Sequence, residues 1–244
     1  MEKNEEESSG NEALMTKDIL RIYQEISSDI ITLRLTPGEK LGEVDFSKKY
    51  NVSRTPIRDV FKCLEYDRLL IIRSQSGSFV TQIDLSDIQD QMYIRSALEY
   101  HVLMELMGKL KEEDFETLDD YLEQMKHLCE TEPAKQDIPF ATNLFDLDNS
   151  FHSYIYGKAG HRTALQSLNR ESPVFQRYRF LTFLRDDREL LHFYQTHVAI
   201  VRVLKDQDLM ALDRVVHDHN YSGAIGLDKV IAKHPDYFVQ RGGK

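Results

Sequence analysis

The chain has 244 residues, of which 41% are hydrophobic and 30% charged, a composition typical of a globular protein with room for two domains. No apolar run approaches the roughly 18 residues that a membrane-spanning helix needs, so we expect no membrane anchor. The net charge of −10 argues against a protein that coats nucleic acid. Residues 13–82 alone carry a net positive charge, +2, against −4 for 1–12 and −8 for 83–244, so any DNA contact would be local.

Residues 1–12 are acidic and polar and lack the basic and apolar parts of a signal peptide. They predict a disordered leader on a cytoplasmic protein. The two cysteines, Cys63 and Cys129, lie far apart without CxxC spacing, so we interpret both as reduced and structural.

Residues 13–83 show the element order of a winged helix-turn-helix domain, in which helices precede a β-hairpin. The predicted elements are a helix over 16–34, a short helix ending near Asn51, a helix over 53–67 that Ser53 can cap, and strands over 69–73 and 78–83.

The helix predicted over 53–67 has two distinct faces. Its apolar face, which should pack on the first two helices, consists of Ile57, Val60, Phe61 and Leu64. The adjacent face carries Arg54, Thr55, Arg58 and Lys62 near the helix start, as a helix that enters the DNA major groove requires. By spacing alone, these side chains could equally be solvated charges on an ordinary helix.

From Asp84 onward the pattern predicts an all-α bundle over 84–235, followed by a tail over 236–244. The predicted helices cover 86–109, 112–131, 138–157, 161–184, 187–204 and 207–232. Pro173 lies inside the fourth of these and should kink or split it.

Several polar residues fall on the apolar stripes of these helices. Asp148 and His152 lie one turn apart, and His197 and His219 each interrupt an apolar stripe, whereas His217 should face solvent. Three imidazoles are borderline ligands, and together with one carboxylate they suit a divalent transition metal such as zinc or nickel. Each histidine alone could be a hydrogen-bonded core residue, and Asp148 with His152 could be a simple helical pair.

The helix predicted over 53–67 and the hairpin that follows it contain motifs of a known protein family. The stretch Asn51-Val-Ser-Arg-Thr-Pro-Ile-Arg58 and the later Gly77-Ser-Phe-Val resemble the signature of GntR-family regulators. The resemblance implies a dimer that binds a palindromic operator through Ser53, Arg54, Thr55, Arg58 and Gly77. The wing tip over 74–76 is Ser-Gln-Ser and lacks the arginine often found there in the family.

The second domain resembles the all-helical (FCD) ligand-binding domain of the FadR-type subfamily. The metal ligands that this implies are Asp148, His152, His197 and His219, with Thr196 where the subfamily usually has Glu.

The same resemblance implies an effector site. The motif Arg95-Ser-Ala-Leu-Glu99 implies that Arg95 faces a cavity and binds an effector carboxylate, whereas spacing alone allows a mutual salt bridge of Arg95 with Glu99. Further lining residues would be Arg162, Arg177 and Arg179.

Together with the residue patterns, the resemblance implies a homodimeric repressor that binds double-stranded DNA and is controlled by a small organic-acid or sugar-acid effector beside the metal. Two alternatives stay open. A metal-dependent enzyme could use the same Asp and three His residues, and the metal could be purely structural in a dimerisation module.

Overall fold

The computed structural model describes residues 3–131, 137–171, 173–184, 187–224 and 227–239. Side chains are described from residue 17 onward within these ranges, except at 131, 170, 171, 187–189 and 224. The chain separates into two compact units, Met1–Ile83 and Asp84–Lys244, which we call the winged-helix unit and the helical unit.

The winged-helix unit contains three helices and three short strands. In chain order they are α1 (Lys3–Ile31), β1 (Lys40–Leu41), α2 (Glu43–Tyr50), α3 (Arg54–Tyr66), β2 (Leu70–Arg73) and β3 (Gly77–Val80). The apolar face expected for α3 is buried, and its residues pack in one cluster with Ile22, Ile26 and Ile30 of α1. Fully burying each such side chain stabilises the fold by about 1.5–3 kcal/mol, so this cluster fixes α3 on its supporting helices.

The wing is a three-stranded antiparallel sheet with the order β1-β3-β2. The sequence predicted the hairpin of β2 and β3 but missed β1, because a two-residue strand shows no alternation. Phe79 and Ser78 of β3 pair with both outer strands, and Phe79 lies between Lys40 on one side and Ile71 on the other. Gly38, with φ +84°, forms the turn that brings β1 beside β3.

The first helix begins at Lys3, so its backbone includes most of the segment expected to be a disordered leader. The expectation rested on the acidic and polar composition of this segment, which does not by itself exclude helical backbone.

The helical unit contains eight α-helices among its described residues. They are α4 (Leu85–Leu106), α5 (Glu112–Thr131), α6 (Ile138–Lys158), α7 (Arg162–Glu171), α8 (Pro173–Thr182), α9 (Asp187–Asp206), α10 (Leu209–Tyr221) and α11 (Leu227–Lys233). The segment over 161–184 divides at Pro173, as expected. The prediction of a single helix over 207–232 is wrong, because α10 ends at Tyr221 and a 3₁₀ turn over Ser222–Ala224 follows it.

The packing of α10 determines where the polar side chains of this unit meet. This helix packs on both α4 and α9, and α4 also packs on α6 and α8. The interior faces of five helices therefore converge on one region. Within the part of the chain that the structure describes, no helix is long and apolar enough to cross a membrane. The fold class is the expected one, a winged helix-turn-helix followed by an all-α domain.

Candidate metal centre and DNA-reading surface

The polar face of α3 is exposed while its apolar face is buried. Arg54, Thr55 and Arg58 all lie on the exposed side. Ser53 occupies the N-cap position with extended backbone, but its side chain makes no capping hydrogen bond. The structure thus keeps these four side chains at one accessible helix start.

Both arginines of this face contact a residue that the sequence analysis did not single out. Oε2 of Glu43, at the start of α2, accepts hydrogen bonds from Nη2 of Arg54 at 2.8 Å and from Nε of Arg58 at 2.9 Å. Burial opposes ionisation of this carboxyl, but the two arginines lower the pKa of Glu43 below its ordinary value. Glu43 is therefore a carboxylate shared by two guanidinium groups.

The wing carries two cations that flank one aromatic ring. Nζ of Lys40 lies 5.8 Å and the guanidinium carbon of Arg73 5.3 Å from the ring centre of Phe79. Gly77 has φ +110°, and a Cβ built there would stand 2.8 Å from Cε of Lys40. The positive φ favours glycine at this position independently of any DNA contact, and an alanine would also require the flexible end of Lys40 to move.

In the helical unit the structure brings together the four residues expected to bind a metal. Asp148 and His152 come from α6, His197 from α9 and His219 from α10, and all four are buried. One ligand nitrogen from each histidine lies within 4.8 Å of the others. Oδ1 of Asp148 lies 2.8 Å from Nε2 of His197 and 3.4 Å from Nε2 of His152, and Nε2 of His152 lies 3.2 Å from Nε2 of His219. We call these four residues the histidine cluster.

Each histidine of the cluster has an oxygen beside its other ring nitrogen. Nδ1 of His197 donates to the backbone carbonyl of Phe193 at 2.9 Å. The hydroxyl of Thr196 also donates to the carbonyl of Phe193, at 2.8 Å. Nδ1 of His219 lies 3.2 Å from Oγ1 of Thr196. Because the hydroxyl proton is already used, the ring donates to the hydroxyl oxygen.

Nδ1 of His152 faces Oε1 of Glu99 at 2.9 Å, an ion-pair distance without the alignment of a hydrogen bond. Protonation of all three rings at Nδ1 leaves the Nε2 lone pairs facing inward.

This arrangement places lone pairs against lone pairs unless a cation lies between them. Nε2 of His197 and Oδ1 of Asp148 both present lone pairs at 2.8 Å, as do the Nε2 atoms of His152 and His219 at 3.2 Å. Ligands bonded to a metal at about 2.0–2.1 Å are separated by about 2.9 Å at a right angle and about 3.3 Å at the tetrahedral angle. The residues present therefore fit a divalent transition metal.

The charges around the histidine cluster also favour a bound cation. Burial disfavours ionisation of Asp148, but Arg179 and His152 hold the pKa of its carboxyl well below the ordinary value. Burial also lowers the pKa of His219 well below its usual range, which leaves that ring neutral. Although burial opposes it, Glu99 and Asp148 raise the pKa of His152 above its ordinary value, so these two carboxylates favour a positive charge here, carried by a proton on the ring or by a metal ion in its place.

Arg95 lines a cavity of about 60 Å³ beside the cluster, together with Asp148, His152, His219 and Arg179. Arg95 is 4% exposed, and its Nη1 has no hydrogen-bond partner among the described residues. Arg179 donates to Oδ2 of Asp148. Two buried guanidinium groups therefore border the same small space.

Glu99, which the sequence grouped with Arg95 as an effector residue, lies behind His152 instead. It is fully buried, and its Oε2 accepts a hydrogen bond from Nδ2 of Asn220 at 2.6 Å. The nearby histidines and Arg95 lower the pKa of its carboxyl against the effect of burial. This position suits a residue that orients a metal ligand.

Arg162 and Arg177, also expected to line the cavity, are not among the residues that border it in the described part of the chain. Burial lowers the pKa of Arg177 to about 10. His217 is exposed, as its place on the helical wheel indicated.

Comparison with known proteins identifies both units. The model of the bacterial regulatory proteins of the gntR family matches residues 19–80, and the FCD domain model matches residues 90–221. The chain belongs to the GntR family. The matched families and their relatives are transcription regulators, so the alternative of a metal-dependent enzyme is set aside.

Relatives of this GntR-family regulator match it along most of its length. The HTH-type transcriptional repressor RspR of Escherichia coli K12 is 26% identical over 221 residues, covering 90% of this chain and 93% of the relative. The structure of E. coli McbR/YncC aligns with a TM-score of 0.67 and 16% identity over 89% of this chain and 98% of that one. A regulator from Rhodococcus sp. RHA1 aligns with a TM-score of 0.64 and 19% identity over 88% and 97%. These two structures establish a shared fold.

The sequence reasoning on this GntR-family regulator gave no role to five residues that contact the two sites, namely Lys40, Glu43, Arg73, Thr196 and Asn220. Thr196 had a signal, since it stands where the subfamily usually has Glu, next to His197. The other four contact partners on other helices or strands, and no local pattern marks such contacts.

Proposed function

We propose that this regulator is a homodimeric repressor whose affinity for a palindromic operator is controlled by an anionic effector, bound beside a divalent metal in the helical unit. The observation that supports the sensing part is the histidine cluster, in which inward lone pairs face each other at 2.8–3.2 Å. The ligands would be Asp148, His152, His197 and His219, and zinc or nickel suits them. When bound, the ion supplies a Lewis acid for an oxygen ligand.

Elemental analysis of protein purified without a nickel column tests the metal. We expect about one zinc or nickel ion per chain, and much less in His197→Ala and His219→Ala. His217→Ala is the matched control, because His217 lies on the same helix as His219 but is exposed. Equal metal content in all variants would contradict the proposed ligand set.

The class of effector follows from the buried charges. Arg95 and Arg179 contribute two positive charges beside the cavity, and Asp148 and Glu99 contribute two negative charges. A divalent ion adds two positive charges that no buried anion balances, and unbalanced buried charge is costly. A dicarboxylate would balance the centre, with one oxygen on the ion and another on the unpartnered Nη1 of Arg95.

The volume of the cavity also constrains the effector. About 60 Å³ corresponds to about two water molecules, so the smallest carboxylic acids fit with little change. A six-carbon sugar acid is several times larger and requires side chains to move. The effector controls DNA binding only if its affinity differs between the DNA-bound and free regulator.

Calorimetry of metal-loaded protein tests the sensor. Acetate, lactate, malonate, succinate and gluconate form the panel, and we expect the dicarboxylates to bind more tightly than the monocarboxylates. Arg95→Met should abolish this preference while retaining the metal. If no acid binds, the metal is structural and the helical unit serves dimerisation alone.

DNA reading is assigned to the start of α3 and to the wing. Arg54 and Arg58 present guanidinium groups suited to guanine, with Ser53 and Thr55 beside them. Lys40 and Arg73 on the wing suit phosphate contacts, which supply the cations that the tip over 74–76 lacks. In a dimer the two copies of α3 would lie in successive major grooves, about 34–36 Å apart.

Selection from a random DNA pool, combined with sedimentation, tests this assignment. We expect a palindromic sequence with half-sites about one helical turn apart, and a protein of twice the mass of the chain. The R54A/R58A double variant should lose the sequence preference. A pool without enrichment, or a double variant with unchanged affinity, would refute the DNA-reading assignment.

A further inference from the structure

The pairing of Arg54 and Arg58 with Glu43 has a geometry that leaves the arginines able to read bases. Arg58 uses its Nε, so both of its terminal nitrogens keep their N–H groups for other acceptors. Arg54 uses Nη2 and keeps Nε and Nη1. Both side chains are about half exposed, at 54% and 53%, whereas Glu43 is 28% exposed. The carboxylate therefore holds the arginines from the protein side.

The contact with Glu43 also offsets the repulsion between the two arginines. Arg54 and Arg58 are four residues apart on α3, so their guanidinium groups lie on the same face of the helix and repel each other. A shared carboxylate between them offsets this repulsion and fixes the direction of both side chains. An arginine fixed in advance loses less conformational entropy when it binds a guanine.

Glu43 further reduces the net charge at the reading surface. The three side chains together carry one positive charge rather than two. Non-specific DNA binding depends on positive charge near phosphates, whereas base reading depends on the direction of the N–H groups. The carboxylate of Glu43 therefore weakens non-specific DNA binding and favours base reading.

We infer that Glu43 is a positioning residue that sets the sequence specificity of this regulator by aligning Arg54 and Arg58. The inference rests on the proposed DNA-reading function. It concerns the ratio of affinity for the selected operator to affinity for unrelated DNA, rather than either affinity alone.

Fluorescence anisotropy of the full-length protein tests the inference. Affinities for the selected operator and for unrelated DNA are measured at the same salt concentration. Glu43→Gln removes the charge but keeps the size of the side chain. We expect tighter binding to unrelated DNA and a fall of at least about tenfold in the affinity ratio, the discrimination that one well-aligned arginine–guanine pair provides. A new selection with this variant should show weaker preference at one or two positions of each half-site.

Glu25→Gln is the matched control, because Glu25 also accepts from an arginine, Arg21 at 2.9 Å, but lies on α1. Its affinity ratio should equal that of the wild type. Glu43→Asp keeps the negative charge at the start of α2 but shortens the reach, so it should lower the ratio at unchanged thermal stability. This second variant separates positioning from folding.

The outcomes distinguish the two proposals. If the wild type shows no preferred sequence, the DNA-reading function itself is wrong. If the wild type is specific and both Glu43 variants keep its affinity ratio, the role of Glu43 is wrong while the function stands.

Discussion

Replacing Arg179 by Met tests how far the carboxylate of Asp148 depends on its buried partner. Arg179 is 9% and Asp148 3% exposed, and breaking a buried ion pair from one side costs about 3–5 kcal/mol. The variant also loses a hydrogen bond of 2.6 Å to Gln176. Asp148 keeps its contact with His152 at 3.4 Å, and the pKa of that ring is raised by Glu99 and Asp148, so we expect the lower end, about 3 kcal/mol.

Thermal unfolding of the full-length protein, followed by circular dichroism with a chelator present, measures this cost. The chain has no Trp, which makes fluorescence less useful. For a unit of this size, about 3 kcal/mol lowers the midpoint by about 6–12 °C. Adding Asp148→Asn to Arg179→Met should recover at least half of the loss, because no unpaired carboxylate then stays buried.

The control for this experiment is Arg202→Met on α9. Arg202 is 81% exposed and pairs with Asp206 at 3.4 Å, a surface pair worth less than about 1 kcal/mol. Its midpoint should change by less than about 3 °C. If Arg179→Met and Arg202→Met have the same thermal midpoint, Asp148 does not need its guanidinium partner. The reasoning about the buried charge is then refuted.

Three further predictions concern the wing, the start of α5 and DNA affinity. Gly77→Ala should cost about 1–3 kcal/mol in urea unfolding, and more than Gly38→Ala, whose φ is also positive but whose Cβ meets nothing; equal costs would mean that Lys40 moves aside freely. A backbone N–H and a lysine lower the pKa of Asp114 to about 2, so its stabilisation is present above about pH 4 and is lost toward pH 2. Asp114→Asn should therefore lower the thermal midpoint at pH 7 more than at pH 3, and a gap independent of pH would contradict this. Lys40→Ala combined with Arg73→Ala should weaken binding to all DNA sequences alike and reduce the salt slope by about 2; altered base preference would argue against phosphate contacts.

The sequence predicted those parts of the fold that depend on one face of one element. The spacing of Ile57, Val60, Phe61 and Leu64 reports which side of α3 is buried, and all four are buried. The same logic placed the four residues of the histidine cluster on inward faces. Periodicity is informative in these cases because burial affects every residue of a stripe in the same way.

Contacts that depend on a single partner from elsewhere in the chain could not be predicted. Glu99 lies on an inward face as expected, but the wheel does not show that His152 and Asn220, rather than an effector, surround its carboxylate. Glu43 looks like any acidic residue in the first turn of a helix. The end of α10 at Tyr221 was missed although Gly223 follows it, because a single glycine can also lie within a helix.

The two-residue strand β1 makes the wing a product of two distant stretches of sequence. Lys40 reaches the ring of Phe79 only because the turn at Gly38 returns the chain to the sheet, well before the hairpin begins. A hairpin transplanted alone, over residues 69–80, would carry Arg73 and Phe79 but lose the lysine on the other side. Chimaeric regulators built by exchanging wings should therefore include residues 36–41 in the exchanged module.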